Sequence, residues 1–61
     1  FSDRETEILR ILAKGKNSLE IAEDLFITIN TVKTHRRNML RKLKAANTSQ
    51  LLKFGYDNNL I

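Results

Sequence analysis

Lys33, Arg36, Arg37, Arg41, Lys42 and Lys44 fall within twelve residues, 33–44, that contain no Asp or Glu. They are six of the eleven Lys and Arg in the chain. The other 49 residues hold five basic and seven acidic side chains and sum to −2, so the net charge of +4 arises from this stretch alone. A cation cluster set in an otherwise acidic domain is suited to neutralising and hydrogen-bonding phosphate, the electrostatic footprint of a nucleic-acid binder. Its spacing is helical. Lys33, Thr34, Arg37, Arg41 and Lys44 recur at three and four residues and share one face, while Val32, Met39 or Leu40, and Leu43 fall on the other.

A helix from about residue 29 to about residue 44 is roughly 24 Å long and fits a major groove about 12 Å wide. Residues near its start enter such a groove first, so Asn30, Lys33, Thr34 and Arg37 are the candidates for base edges. Lys and Arg pair best with guanine O6 and N7, Asn pairs with adenine, and a Thr methyl meets a thymine methyl. Arg36, Arg41, Lys42 and Lys44 are candidates for phosphate, as are the hydroxyls of Thr28 and Thr31. The N-terminus of the preceding helix, at Asn17 and Ser18, adds backbone N–H groups and a positive dipole end. Each residue also has a plainer reading. A basic run is often only a solvated face, Thr28 and Asn17 are helix caps before anything else, and His35, between the two faces, fits a structural hydrogen-bonding role better than a phosphate contact. Ile29 is apolar in an exposed first turn; it meets a sugar or a thymine methyl, or it packs on Phe26.

Four helices must hold these groups in place. Ser2 with Glu5, Asn17 with Glu20, and Asn47 with Gln50 are each an N-cap followed three residues on by Glu or Gln. The first helix buries Ile8, Leu9, Ile11 and Leu12 and stops at Gly15, which tolerates the left-handed conformation. The second buries Ile21, Ala22 and Leu25 and ends near Phe26, with Ile27 plugging the connection. Thr28 caps the third. The fourth carries Leu51, Leu52, Phe54 and Tyr56 and ends at Asn59, after which Leu60 and Ile61 fold back onto the core. The expected fold class is therefore all-α: one compact domain over 1–61. Its second and third helices are joined by two or three residues, a helix-turn-helix.

Composition narrows the function further. There is no cysteine and a single histidine, so neither a thiolate nor a histidine-cluster metal site is expected, and no cofactor is implied. The lone His35 has no identifiable acid partner and the chain is too short to enclose an ordinary pocket, so an enzyme is not expected. No apolar run is long enough to span a membrane. The lack of cysteine fits a cytosolic setting, and the start at Phe1 without Met fits a domain cut from a longer protein. A membrane-surface helix would need exposed apolar bulk that the core consumes here. RNA binding would favour aromatic stacking residues, and none lies in the basic helix.

The combined pattern resembles the LuxR-type (GerE- or FixJ-type) helix-turn-helix nearly from end to end: Phe1-Ser2, Arg4-Glu5, Glu7-Ile8-Leu9, Leu12-Ala13, Gly15, Glu20-Ile21-Ala22, Leu25, Ile27-Thr28, Thr31-Val32-Lys33, His35, Asn38-Met39 and Lys42-Leu43. The string Thr31-Val32-Lys33-Thr34-His35 is its most diagnostic part. The resemblance implies a four-helix effector domain of a bacterial, cytoplasmic response regulator or ligand-sensing regulator, bound to double-stranded promoter DNA through helix three. It implies an N-terminal receiver or sensor domain in the full-length protein. It places Lys33, Thr34 and Arg37 at bases, and it implies a homodimer, weak in the isolated domain, paired through helix four near Leu51, Leu52, Lys53 and Tyr56. Three positions depart from the family pattern: Thr48 stands where an Arg is usual after the helix-four cap, Leu51 stands where a small residue is usual, and Gly55 replaces a usual Ala, which inside a helix costs up to about 1 kcal/mol.

Overall fold

A computed structural model describes residues 1–61. Its elements are α1 (Asp3–Ala13), α2 (Ser18–Leu25), α3 (Ile29–Leu43) and α4 (Thr48–Asp57), with no strand. No helix is long and apolar enough to cross a membrane.

The helix starts follow the capping chemistry. The Ser2 hydroxyl accepts from the Glu5 N–H while Glu5 accepts from the Ser2 N–H, and Asn17 and Glu20 repeat the exchange. Each reciprocal pair satisfies two backbone donors that a helix start otherwise leaves orphaned. Thr28 caps α3 by accepting from the Thr31 N–H. At α4 the exchange is displaced. Asn47 accepts from the Gln50 N–H, but the Gln50 side chain takes the Ala46 N–H at 2.7 Å, one residue outside the expected box.

Three of the four helices end alike. Phe26, Lys44 and Asn59 all have positive φ, at 57°, 53° and 59°. The next N–H in each case returns to a carbonyl five residues back: Ile27 to Ala22, Ala45 to Leu40 and Leu60 to Gly55. These are Schellman-type closures built without glycine. The third helix thus ends at Leu43 rather than at Lys44, because Lys44 has left the helical region. Gly15, at φ 88°, supplies the turn after α1.

The core is Ile8, Leu9 and Leu12 from α1, Ile21 and Ala22 from α2, Val32 and Met39 from α3, and Leu51 from α4. Met39, not Leu40, is the fully buried member of its pair. Leu43, Leu60, Ile61 and the half-buried Ile29 pack around this cluster. Ile29 does not pack on Phe26, whose ring is 95% exposed. Gly55 is closely approached: a Cβ there would stand 2.6 Å from Ile61 Cδ1 and 3.0 Å from Leu9 Cδ2, so the Ile61 side chain would have to shift to admit one.

Leu51 corrects one expectation. It is fully buried and belongs to the core, so it offers no surface for pairing. The spacing of apolar residues in the fourth helix does not by itself distinguish a pairing face from an inner one. What decides it is that α4 lies against both α1 and α3.

Candidate nucleic-acid interface

The connection between α2 and α3 is Phe26–Thr28, three residues. Phe26 reverses the chain through its left-handed conformation, and Thr28 starts α3 at once. The Thr28 and Thr31 hydroxyls lie 2.8 Å apart, and both residues are exposed. Thr34 donates its hydroxyl to the Asn30 carbonyl at 2.9 Å, which leaves its methyl as the group available for contact. The side-chain amide of Asn30 makes no hydrogen bond within the domain.

The fifteen residues of α3 make a rod of about 22 Å. Asn30, Lys33, Thr34, Arg37 and Arg41 are all exposed along it, and Lys44 is exposed at its end. At about 100° per residue the five within the helix occupy an arc of roughly 100° on the side away from Val32 and Met39. The side chains of Lys33, Arg37, Arg41 and Lys44 form no ion pair or hydrogen bond with the rest of the protein. Three unpartnered cations on one narrow face, with a fourth at the helix end, make a strip of positive potential, with neutral Asn and Thr side chains at its leading end.

The two remaining basic residues of the run are engaged inside the domain. Arg36 is half-buried, donates from one guanidinium nitrogen to the Ser18 hydroxyl, and donates from the other to the Thr48 hydroxyl at 2.9 Å. Lys42 reaches α1, where its Nζ is 2.7 Å from Glu5 Oε1 and 5.9 Å from the centre of the Phe1 ring. Sequence spacing grouped both with the phosphate-binding set; the fold gives each a protein partner. Among the other candidates, Asn17 is exposed and Ser18 is buried, both at the α2 start.

Glu5 is the residue that sequence reading undervalued. It appeared only as a cap, yet its carboxylate is nearly buried and collects Lys42, the Ser2 N–H and, at 3.9 Å, His35 Nδ1. Burial works to raise its pKa. The hydrogen bond from Lys42, the contacts with Ser2 and the Lys42 charge outweigh that and hold the carboxyl below the ordinary value of 4.5. His35 lies half-buried beside this pair, but its buried Nδ1 has no hydrogen-bond partner, so the structural hydrogen bond expected of it is not formed. Thr48, noted in the sequence only as a departure, is the second acceptor for Arg36. No short-range spacing could have revealed these partners, which lie 37 and 12 residues apart in the chain.

On α4, Lys53 is exposed and bonded to Asp57 at 2.8 Å, an interaction that raises its pKa. Tyr56 is 58% exposed, and Leu52 is half-buried. No group of three or more His, Cys, Asp or Glu converges anywhere in the domain.

Known proteins share this sequence pattern. The family described as "Bacterial regulatory proteins, luxR family" matches residues 1–54. The chain is 48% identical over 61 residues to the transcriptional regulatory protein LiaR of Bacillus subtilis (strain 168). It is 45% identical over the same length to the response regulator protein VraR of Staphylococcus aureus (strain NCTC 8325 / PS 47) and of Staphylococcus epidermidis. All of this chain is covered in each comparison, and it spans 29% of each relative's length. With a family match over most of its length, capped helices where that pattern requires them and a basic third helix behind a three-residue turn, the chain belongs to the luxR family of bacterial regulatory proteins.

Proposed function

We propose that this domain binds double-stranded promoter DNA sequence-specifically, with the outer face of α3 in the major groove. The observation that carries the reading is the strip of four unpartnered cations along that face and at its end. The domain's ion pairs lie elsewhere, at Arg4–Glu7, Lys16–Asp24, Lys42–Glu5 and Lys53–Asp57. No carboxylate is paired with Lys33, Arg37, Arg41 or Lys44.

In this reading Asn30, Lys33, Thr34 and Arg37 address base edges and supply specificity. Thr28, Thr31, Arg41 and Lys44, together with the α2 start at Asn17 and Ser18, take phosphates and set the register. The relatives' descriptions as transcriptional and response regulators support transcriptional control as the output. They also support a bacterial cytoplasmic setting and a receiver or sensor domain elsewhere in the full-length protein. Pairing on adjacent half-sites uses Lys53, Tyr56 and the edge of Leu52.

A salt titration of binding, on random duplex and on a site selected from a randomised library, tests the proposal. A selected site about a thousandfold tighter than random DNA is expected, with a steep salt slope on both. Lys33→Ala and Arg37→Ala are each expected to cost about 1–3 kcal/mol on the selected site and to relax preference there. Equal losses on both duplexes would remove these residues from base reading. A shallow slope with no enriched site would remove the function.

A further inference from the structure

Arg36 stands out among the cations of α3 because its guanidinium contacts two other helices at equivalent positions. Ser18 is the first residue of α2 and Thr48 the first residue of α4, each directly after its capping Asn. The guanidinium donates to both hydroxyls. Electrostatics alone would not choose this arrangement, since a helix N-terminus is the positive end of the helix dipole and disfavours a cation. The planar fork explains it. Two N–H groups held at a fixed angle can bridge two acceptors on separate helices, and a lysine ammonium on a flexible stem cannot hold the same geometry.

We propose that Arg36 is a positioning residue rather than a phosphate contact. It fixes the start of α2 relative to α3 and ties both to the start of α4, so the phosphate-binding end of α2 is held in register with the base-reading face. This rests on the DNA-binding reading above. Two consequences separate it from a direct contact. Charge at position 36 is not sufficient, because the fork is what bridges. Removing the remote acceptor on α4 also weakens DNA binding, although Thr48 belongs to no proposed DNA contact.

The test uses Arg36→Lys, Arg36→Met and Thr48→Val, with binding to the selected duplex measured across a salt series and thermal melts run in parallel. Binding is compared only at temperatures where each variant is fully folded. Both Arg36 variants are expected to lose about five- to tenfold in affinity, and Thr48→Val a similar amount, the size of an ordinary coupling between sites. The double variant Arg36→Met/Thr48→Val is expected to lose no more than Arg36→Met alone, since both changes break one connection. The salt slope is expected to stay within half a unit of wild type.

Retained affinity in Arg36→Lys together with a slope lower by about one unit in Arg36→Met would overturn the proposal and return Arg36 to the phosphate set. Unchanged binding in Thr48→Val would overturn it as well. Failure of the wild-type domain to prefer any sequence is a separate outcome. It would take down the DNA-binding reading, and the positioning role with it.

Discussion

Arg41 and Lys42 are neighbours in the chain and carry the same charge, yet they lie in different environments. Arg41 is exposed with no protein partner. Lys42 is bonded to a nearly buried carboxylate on α1. One residue on a helix turns the side chain by about 100°, enough to exchange the outer face for the flank against another helix. The same division occurs on α4, where Leu51 is wholly enclosed while Tyr56 is more than half exposed. Charge or hydrophobicity in a run of sequence is therefore not a single property of that run. It is shared between the job of holding the domain together and the job of meeting a partner.

The largest effect expected from breaking this division is on α4. Leu51→Ala removes a fully buried side chain and is expected to cost about 2–5 kcal/mol. A domain of this size has only a few kcal/mol of stability in total, so much of the population should unfold. Tyr56→Ala is expected to change stability by about 0.5 kcal/mol or less. It should instead impair binding to two adjacent half-sites while sparing binding to one. Chemical denaturation checks the first contrast, and titration of single and paired sites the second. If Tyr56→Ala weakens single-site binding equally, α4 serves the fold alone.

A smaller effect separates the two cations. Lys42→Met leaves the Glu5 carboxylate nearly buried without its ammonium. Because Lys42 is half exposed and its pairing is screened by solvent, the expected loss is about 1–2 kcal/mol, with the salt slope of DNA binding unchanged. Arg41→Ala is expected to do the reverse. Its stability should lie within about 0.5 kcal/mol of wild type and its salt slope should fall by about one unit. Matching slopes for the two variants would dissolve the distinction between them.

The features legible in the sequence were those decided within a turn or two of chain. Ser2, Asn17, Thr28 and Asn47 announce the helix starts because capping is a local hydrogen-bond exchange, and Asn59 announces its left-handed turn for a similar reason. The outer face of α3 was legible because helical period alone sorts Lys33, Arg37 and Arg41 onto one side. The engagements of Arg36 and Lys42 were not, since each depends on which helix packs against that flank of α3. The close packing at Gly55 was not legible for the same cause. As a residue in an isolated helix Gly55 is a weakness, and only the return of Ile61 across α4 shows how closely it is approached. Phe26 and Lys44 at positive φ were also invisible, because neither residue type favours that conformation.

The subtlest expected effect is on acid stability, and it follows from Glu5. Its carboxyl titrates below the ordinary 4.5 in the folded domain, so the unfolded chain binds the proton more readily. The stability contributed by the charged carboxylate is therefore complete above the unfolded value. It is lost as pH falls through the lower, folded value. Thermal melts from about pH 6 to about pH 3 should show a declining acid limb in wild type and a flatter one in Glu5→Gln, which cannot titrate. Lys42→Met should flatten the limb as well, because the Lys42 ammonium is the leading group that lowers the Glu5 pKa. Arg41→Ala should leave the limb as steep as in wild type. Parallel limbs in wild type and Glu5→Gln would mean that the ion pair of Glu5 with Lys42 contributes nothing to stability. Lys42 would then be as free for a phosphate as its neighbour.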